Sequence, residues 1–365
     1  MGTGVLNSAR YSAANAVAPS ATPMSHCLNP RCEAPKNDHS GPNCRSCGEP
    51  LLLRGHYRAV RPLGRGGFGR TYLAVDRDRL DTPCVIKQFS PRVKTRAALK
   101  KSIRLFSQEV IRLRDLGEHP QIPSLLAYFE DNGRLYLVQE FIAGPNLLQE
   151  FHRNGPFNEK QILRLLKDLL PVLHFIHNKS VIHRDLKPDN IICRKTDNRY
   201  VAIDFGIAKQ LDPEGGGKPG TKIGTEGYSP IEQLRGGQAY PASDLYSLGV
   251  ICIFLLTGVP PDELYNPLTG RWPWREQLAQ WHDTLSLEEL HGGAPPTAPQ
   301  EQPPAKDSGA RRTFSQMPVT TGIDERVGQL LDKLLEQAVR DRYQSAQDVM
   351  ADLQTILTVP ATSQA

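Results

Sequence analysis

Between Tyr57 and about Phe141 the chain alternates short runs rich in β-branched and aromatic residues with turn residues. YRAVRPLG, TYLAVD, CVIKQF and LYLVQEFI each predict a strand. One stretch breaks the pattern. In SIRLFSQEVIRLRDL the apolar positions Ile103, Phe106, Val110 and Leu113 recur at helical spacing, which predicts an amphipathic helix. Beyond Gly144 the helical period takes over. ILRLLKDLLPVLHFIH sets Ile162, Leu166, Leu169 and Leu173 on one face, and Pro171 is expected to kink it or loosen a turn. Further helices are predicted over roughly 244–257, 324–339 and 345–357. The order of periods reads as an α+β chain, strands first and helices after.

Composition narrows this only a little. The 365 residues are 39% hydrophobic and 23% charged, enough for one large core or two moderate ones. The longest apolar run, VICIFLL at 250–256, is about a third of what a bilayer needs, so it predicts a buried element and no membrane partner. Residues 1–24 hold no continuous apolar stretch, which argues against a secretory signal, and Leu6 stands where a myristoylation motif wants Ser or Thr. Their Ala/Ser/Pro content predicts a disordered segment over 1–26, with Met24 as an alternative start. The Pro-rich, polar stretch 293–320 predicts a surface insert. The net charge of +5 fits phosphorylated ligands as well as nucleic acid and decides nothing alone.

Candidate chemistry lies in four places. LGRGGFGRTYLAVD spaces Gly64, Gly66 and Gly69 as G-x-G-x-x-G. A dinucleotide fingerprint passes from its glycines into a helix, whereas these pass into a strand. A glycine turn between antiparallel strands can lie over phosphates and offer them backbone N–H groups; the alternative is a flexible hairpin. In CVIKQF, Lys87 sits among apolar neighbours and needs an anion, either phosphate or Glu109 on the amphipathic helix. VIHRDLKPDN concentrates His183, Arg184, Asp185, Lys187 and Asn190. Fourteen residues after Asn190 comes Asp204, and the intervening IICRKTDNRYVAI reads as a hairpin. A hairpin brings its ends together, so Asn190 and Asp204 form a pair of oxygen ligands suited to Mg²⁺. Asp185 can accept a proton, and Lys187 can neutralise a phosphoryl group in transit.

The set resembles the protein-kinase signature: glycine-rich loop, strand lysine, helix glutamate, catalytic loop and DFG (Asp204, Phe205, Gly206), in that order. The resemblance covers residues 57 to about 357 and is closest to bacterial eukaryotic-type (Hanks-type) serine/threonine kinases, cyanobacterial ones with a four-cysteine head in particular. It implies a bilobal fold, with a β-rich N-lobe over 57–143 and a helical C-lobe over 144–357. It implies that Asp185 is the catalytic base, that Lys87 pairs the α- and β-phosphates of ATP and Glu109, and that Asn190 and Asp204 hold Mg²⁺ or Mn²⁺. Leu63, Gly64, Gly66, Gly69, Thr71, Val85, Glu140, Ile142 and Ile192 would join Lys87 in binding the nucleotide. GTEGYSPIEQ matches the family's segment ending in a glutamate, here Glu232, and Glu232 would pair with Arg342; Asp244 matches as well. Lys187 and Thr225 are the serine/threonine forms, which implies Ser or Thr of proteins as substrate. Arg184 before Asp185 implies a basic pocket that a phosphate on Thr221 would fill. A cytoplasmic signalling protein, autophosphorylating and forming a homodimer during activation, is the further expectation. Departures are Thr71 for Val, Val85 for Ala, Gln139 before the hinge and PIE for APE. They alter pocket shape and leave the charge-carrying groups intact.

Four of the seven cysteines, Cys27, Cys32, Cys44 and Cys47, form C-x4-C and C-x2-C pairs with eleven residues between. The spacing predicts a zinc-ribbon-like module over 27–48, with Gly48 in its tight turn. A redox-active dithiol set is the other reading of the same residues. His26 and His39 could compete as ligands, but four thiolates complete a site, so both are expected at the surface. Cys84, Cys193 and Cys252 read as small core residues. Two other functions compete with an active kinase. A pseudokinase scaffold would bind nucleotide without transfer, which intact Lys87, Asp185, Asn190 and Asp204 argue against. A nucleic-acid binder would use the cysteine module, and basic residues do crowd between Arg54 and Arg104, but the module itself is nearly balanced in charge and lacks interleaved aromatics, so nucleic acid is not an expected partner.

Overall fold

The computed structural model describes residues 24–38, 41–66, 69–91, 95–117, 119–205, 226–236, 238–280 and 322–358. The expectations for residues 1–23 and 293–320, and for His39, Gly206, Thr221 and Thr225, fall outside these residues. The chain divides into two compact units, one of residues up to Ser90 together with Ala127–Gln139, the other of Pro91–Leu126 and Glu140 onward.

The first unit is built on an antiparallel sheet of order β3-β4-β5-β6-β8-β7. Its long members are β4 (Tyr57–Gly66), β5 (Gly69–Asp76) and β6 (Thr82–Phe89), followed by β7 (Leu125–Asp131) and β8 (Arg134–Glu140). All four runs expected to be strands are strands. The cysteine segment carries β1 (Ser25–His26) and β2 (Lys36–Asn37), which pair with each other. It is not a separate bead. The stretch after it forms β3 (Leu52–Leu53), which adds to the sheet edge by pairing with β4. Cys27, Cys44 and Leu51 make a small buried cluster with Cys32 packed on it. His26 is buried rather than exposed, its ring 5.3 Å from that of Tyr72 and its Nδ1 3.0 Å from the Cys27 carbonyl.

The second unit is mostly helical. α1 (Arg96–Leu116) buries Phe106, Val110 and Leu113, while Ile103, one of the four positions expected on that face, is largely exposed. Thr95 caps it by accepting from the Ala98 N–H. α2 (Leu147–Asn154) and α3 (Glu159–Asn178) both open with capping boxes, Asn146 with Gln149 and Asn158 with Gln161. α3 continues through Pro171, the residue expected to kink it or loosen a turn. Pro171 sits on the exposed side, where the carbonyl left without a donor can turn to water. Its inner face, including Ile162, Leu166, Leu169 and Leu173, is buried as the period requires. β9 (Ile191–Cys193) and β10 (Tyr200–Ala202) form the expected hairpin, with Cys193 opposite Tyr200. α4 (Ile231–Gly236), α5 (Pro241–Thr257), α6 (Pro261–Leu264), α7 (Glu325–Leu334) and α8 (Ala346–Thr358) follow. α5 is the central helix: every residue from Ala242 to Thr257 is buried, VICIFLL included. Among the described residues no helix is long and apolar enough to cross a membrane.

Candidate active site

The segment His183–Asn190 is fixed from below by Asp244. Its carboxylate, buried in the first turn of α5, accepts the His183 N–H (2.8 Å) and the Arg184 N–H (2.9 Å), and lies 2.8 Å from His177 Nε2. Three donors on one buried acid hold the loop in a conformation it would not adopt alone. Arg184 takes φ 67°, a left-handed value that costs a non-glycine residue about 1–3 kcal/mol. His183 is fully buried, and burial lowers its pKa, so the ring is neutral. Its Nε2–H donates to the Ile203 carbonyl at 3.1 Å, and its Nδ1 faces the Asp185 N–H at 3.4 Å. The imidazole therefore ties the loop to the strand end before Asp204.

On this frame the polar groups converge. Asn190 Nδ2 donates to the Asp185 carbonyl (2.8 Å) and to Asp185 Oδ2 (3.0 Å). Lys187 Nζ stands 3.3 Å from the same Oδ2. The Ile203 N–H donates to the Asn190 carbonyl at 2.9 Å, which brings Asn190 and the start of Asp204 side by side. Asp204 also takes a left-handed φ, 57°. Phe205 stacks near His183, ring centroids 4.6 Å apart. The β9–β10 hairpin is in turn anchored by Gln121, whose amide donates to the carbonyls of Asp168 (3.0 Å) and Tyr200 (2.8 Å). Asp185, Lys187, Asn190 and Asp204 are thus gathered in one place. Such a group can take a proton at one carboxylate, offer oxygens to a divalent cation and balance phosphate charge with the lysine.

Other expected residues of the second unit are placed as follows. Glu109 is buried on α1. Glu140 accepts the Ser124 N–H on its carboxylate, Ile142 is buried, and Ile192 lies on β9. Gly144 is demanded by packing: a Cβ there would sit 1.9 Å from the Cys193 carbonyl oxygen. Arg342 pairs with Glu232 through two bonds of 2.7 and 3.2 Å, and Ser243 Oγ donates to Glu232 at 2.8 Å. Gln233 donates to the Arg184 carbonyl at 2.7 Å, which joins α4 to the loop.

In the first unit, the register places Thr71 opposite Lys87 and Leu73 opposite Val85, so these four side chains share one face of the sheet. Leu63, Gly64 and Gly66 lie on β4, with Gly64 opposite Thr71 and Gly66 opposite Gly69. A Cβ on Gly64 would meet nothing within 4 Å, so space for a ligand exists there. Gly69 is different. At φ 151° a Cβ would lie 1.9 Å from the Gln88 carbonyl oxygen, so this glycine is required by the backbone of β6 as well as by any approaching phosphate.

The four cysteine sulfurs all lie within 4.8 Å of one another. Cys27 Sγ is 3.5 Å from Cys47 Sγ, and Cys32 Sγ is 3.7 Å from Cys44 Sγ. A tetrahedron with metal–sulfur bonds of about 2.3 Å has edges of about 3.8 Å, so the donor set fits zinc. N–H groups already point at the sulfurs: Asn29 N to Cys27 (3.4 Å), Asn37 Nδ2 to Cys44 (3.5 Å) and Asn29 Nδ2 to Cys47 (3.6 Å). Burial works to raise the Cys44 thiol, but N–H groups of Cys47 and Ser46 and the Asn37 amide outweigh it and bring it down to about 6. Burial pushes Cys27 and Cys32 up. The three remaining cysteines are buried, as core residues should be.

Sequence reasoning missed His177, Gln121, Gln233 and Arg112. Arg112 on α1 has its pKa lowered by burial and by the charge of Arg184, whose own pKa is lowered by burial. Arg112 Nη1 and Arg184 Nε are both buried with no partner among the described residues. Two like charges left this way make a place for an anion. Nothing in the helical period of α1 marks Arg112, since its position is ordinary for a polar residue.

A family model described as protein kinase domain matches residues 57–353. Serine/threonine-protein kinase B of Synechocystis sp. is 37% identical over 341 residues, 91% of this chain and 52% of its own length. Probable serine/threonine-protein kinase YbdM of Bacillus subtilis is 38% identical over 248 residues, 66% of this chain and 84% of its own. A solved structure titled PpkA-294 apo form shares the fold with a TM-score of 0.57 at 23% identity, over 83% of this chain and 98% of that one. The chain spans about half the length of the cyanobacterial relatives it matches. With the fold, the loop and the family model in agreement, the chain belongs to the protein kinase family, among its bacterial eukaryotic-type members.

Proposed function

We propose that the chain is an active serine/threonine protein kinase that transfers the γ-phosphate of ATP to protein hydroxyls. The observation that carries this is the single carboxylate oxygen, Asp185 Oδ2, held by Asn190 Nδ2 at 3.0 Å and Lys187 Nζ at 3.3 Å. A base so fixed is aimed before substrate arrives, and it needs no reorganisation at the moment of reaction. In this reading Asp185 accepts the hydroxyl proton and Lys187 balances the phosphoryl charge. Asn190 and Asp204 would hold Mg²⁺ or Mn²⁺, which supplies neutralisation of the phosphate oxygens. Lys87 meets nucleotide phosphate, and Glu109 keeps the role the family assigns it. Leu63, Gly64, Gly66, Gly69, Thr71, Val85, Glu140, Ile142 and Ile192 take the remaining nucleotide contacts.

Three finer readings go with this. The four cysteines bind zinc, a reading supported by their sulfur separations. A phosphate on Thr221 docks on Arg184 and Arg112 and activates the enzyme, a reading supported by the buried nitrogen that each of those guanidinium groups leaves without a partner among the described residues. The protein works in the cytoplasm on protein substrates and dimerises during activation; the free thiols of the described cysteines suit a reducing compartment. The direct test is transfer from Mg·ATP by Lys87→Met and Asp204→Ala. Each is expected to fold and to keep less than about a tenth of wild-type activity. Activity above that level in a folded variant overturns the assigned roles.

A further inference from the structure

The cysteine loop covers one face of the first-unit sheet, and Lys87 stands on the other. Alternation along β5 and β6 sends Thr71, Val85 and Lys87 one way and Arg70, Tyr72, Ile86 and Gln88 the other. The second face receives the loop. Arg70 Nη2 donates to the Pro30 carbonyl at 3.4 Å, and Gln88 Nε2 donates to the Leu28 carbonyl at 2.6 Å and to the Tyr136 hydroxyl at 3.1 Å.

Gln88 is 1% exposed, and its Oε1 is buried with no partner. A leucine or methionine would fill the same volume without an orphaned oxygen. What the amide adds is its N–H, directed at the carbonyl of the Leu28–Asn29 peptide. The other side of that peptide faces the cluster itself, since the Asn29 N–H donates to Cys27 Sγ at 3.4 Å. One residue back along β6 is Lys87. A single hydrogen bond therefore separates the sulfur cluster from the strand of the phosphate lysine.

We propose that Gln88 is a positioning residue that links the metal state of the four-cysteine cluster to the seating of Lys87, and so to nucleotide affinity. The inference rests on the kinase and zinc readings above. A filled cluster fixes the Leu28 carbonyl, Leu28 holds the Gln88 amide, and β6 then presents Lys87 in one position. Linkage is reciprocal, so a nucleotide that engages Lys87 steadies Leu28 and tightens the binding of zinc.

The test uses the full chain loaded with zinc and measures its zinc affinity by equilibrium competition with a chromogenic chelator, with and without Mg·ADP. In the wild type Mg·ADP tightens zinc binding by roughly fivefold or more, the lower range of measured couplings. Gln88→Met keeps the length and volume but loses the donor; there the effect falls below about twofold, and KM for ATP rises more than kcat falls. Arg134→Ala cuts the 2.8 Å ion pair between β8 and Glu49 of the loop, leaves β6 alone, and keeps the effect. Wild-type zinc affinity indifferent to Mg·ADP overturns the proposal even if Gln88→Met fails to fold. So does loss of the effect in Arg134→Ala as complete as in Gln88→Met, since the link would then be general docking of the loop. A wild type that holds no zinc sinks the zinc reading, one that holds zinc but shows no Mg·ADP binding by calorimetry sinks the kinase reading, and one that binds both without mutual effect sinks this inference alone.

Discussion

Arg342→Met tests how much of the helical unit hangs on one buried ion pair. The Arg342 side chain is 0% exposed and that of Glu232 12%. The guanidinium donates twice to Glu232, and also to the carbonyls of Glu336 (2.5 Å) and Gln337 (2.8 Å), and it lies 4.5 Å over the Tyr246 ring. Methionine matches its length but leaves the buried carboxylate without its cation, which costs about 3–5 kcal/mol. The two carbonyls add about 1 kcal/mol between them, since each keeps a second lone pair for other donors. At about 2–4 °C per kcal/mol for a domain of this size, the melting temperature should fall by about 8–24 °C in differential scanning calorimetry. The pH dependence gives a second check. Burial tends to raise the Glu232 carboxyl, but the Arg342 hydrogen bonds and charge outweigh it and hold it below its ordinary value. A depressed folded-state pKa stabilises above the unfolded carboxylate value and loses that stabilisation as pH falls through the folded one. Without Arg342 the carboxylate keeps only the Ser243 and backbone hydrogen bonds against burial, so the deficit of the variant is largest at neutral pH and shrinks on acidification. Adding Glu232→Gln to Arg342→Met should recover about 1–3 kcal/mol by removing the stranded charge. A fall in melting temperature below about 3 °C, or a deficit equal at pH 4 and pH 7, would refute the reasoning.

Three further outcomes are expected. Gly69→Ala forces a Cβ to within 1.9 Å of the Gln88 carbonyl oxygen, so the sheet must shift; the variant should lose about 1–3 kcal/mol of stability and bind Mg·ATP more weakly by calorimetry. Protein purified without reductant or added metal should carry one zinc per chain by elemental analysis, and Cys44→Ser should abolish it; absence of metal with a cysteine–cysteine crosslink by mass spectrometry would favour redox chemistry instead. After incubation with ATP, Thr221 should carry phosphate, and Thr221→Ala should be much less active on an added protein substrate; fully active enzyme with unmodified Thr221 would leave Arg184 and Arg112 in need of another anion.

What could be read from the sequence followed from local relations. The ends of IICRKTDNRYVAI meet because a hairpin requires it, so Asn190 and Asp204 were legible as neighbours. The burial of VICIFLL followed from its lack of any polar position. The strands were legible where they alternate or run β-branched, but β3 is two leucines long and carries no period, so its place at the sheet edge was not. The burial of His26 depends on Tyr72, nearly fifty residues away, and no local rule reports that. Asp244 was visible as a motif position, yet the three donors it gathers come from His177, His183 and Arg184 and appear only in the folded chain. Gln88 looked like one more residue of a strand. Its role depends on a carbonyl sixty positions earlier.

The most direct test of the central claim is phosphate transfer from γ-labelled Mg·ATP to a protein substrate by the purified wild type and by Asp185→Asn, with identification of the labelled amino acid. The account predicts label on serine or threonine and a loss of at least about a hundredfold in Asp185→Asn, which keeps the hydrogen-bonding shape but cannot take the proton. No transfer by folded, nucleotide-bound wild type, or transfer by Asp185→Asn at a comparable rate, would contradict it.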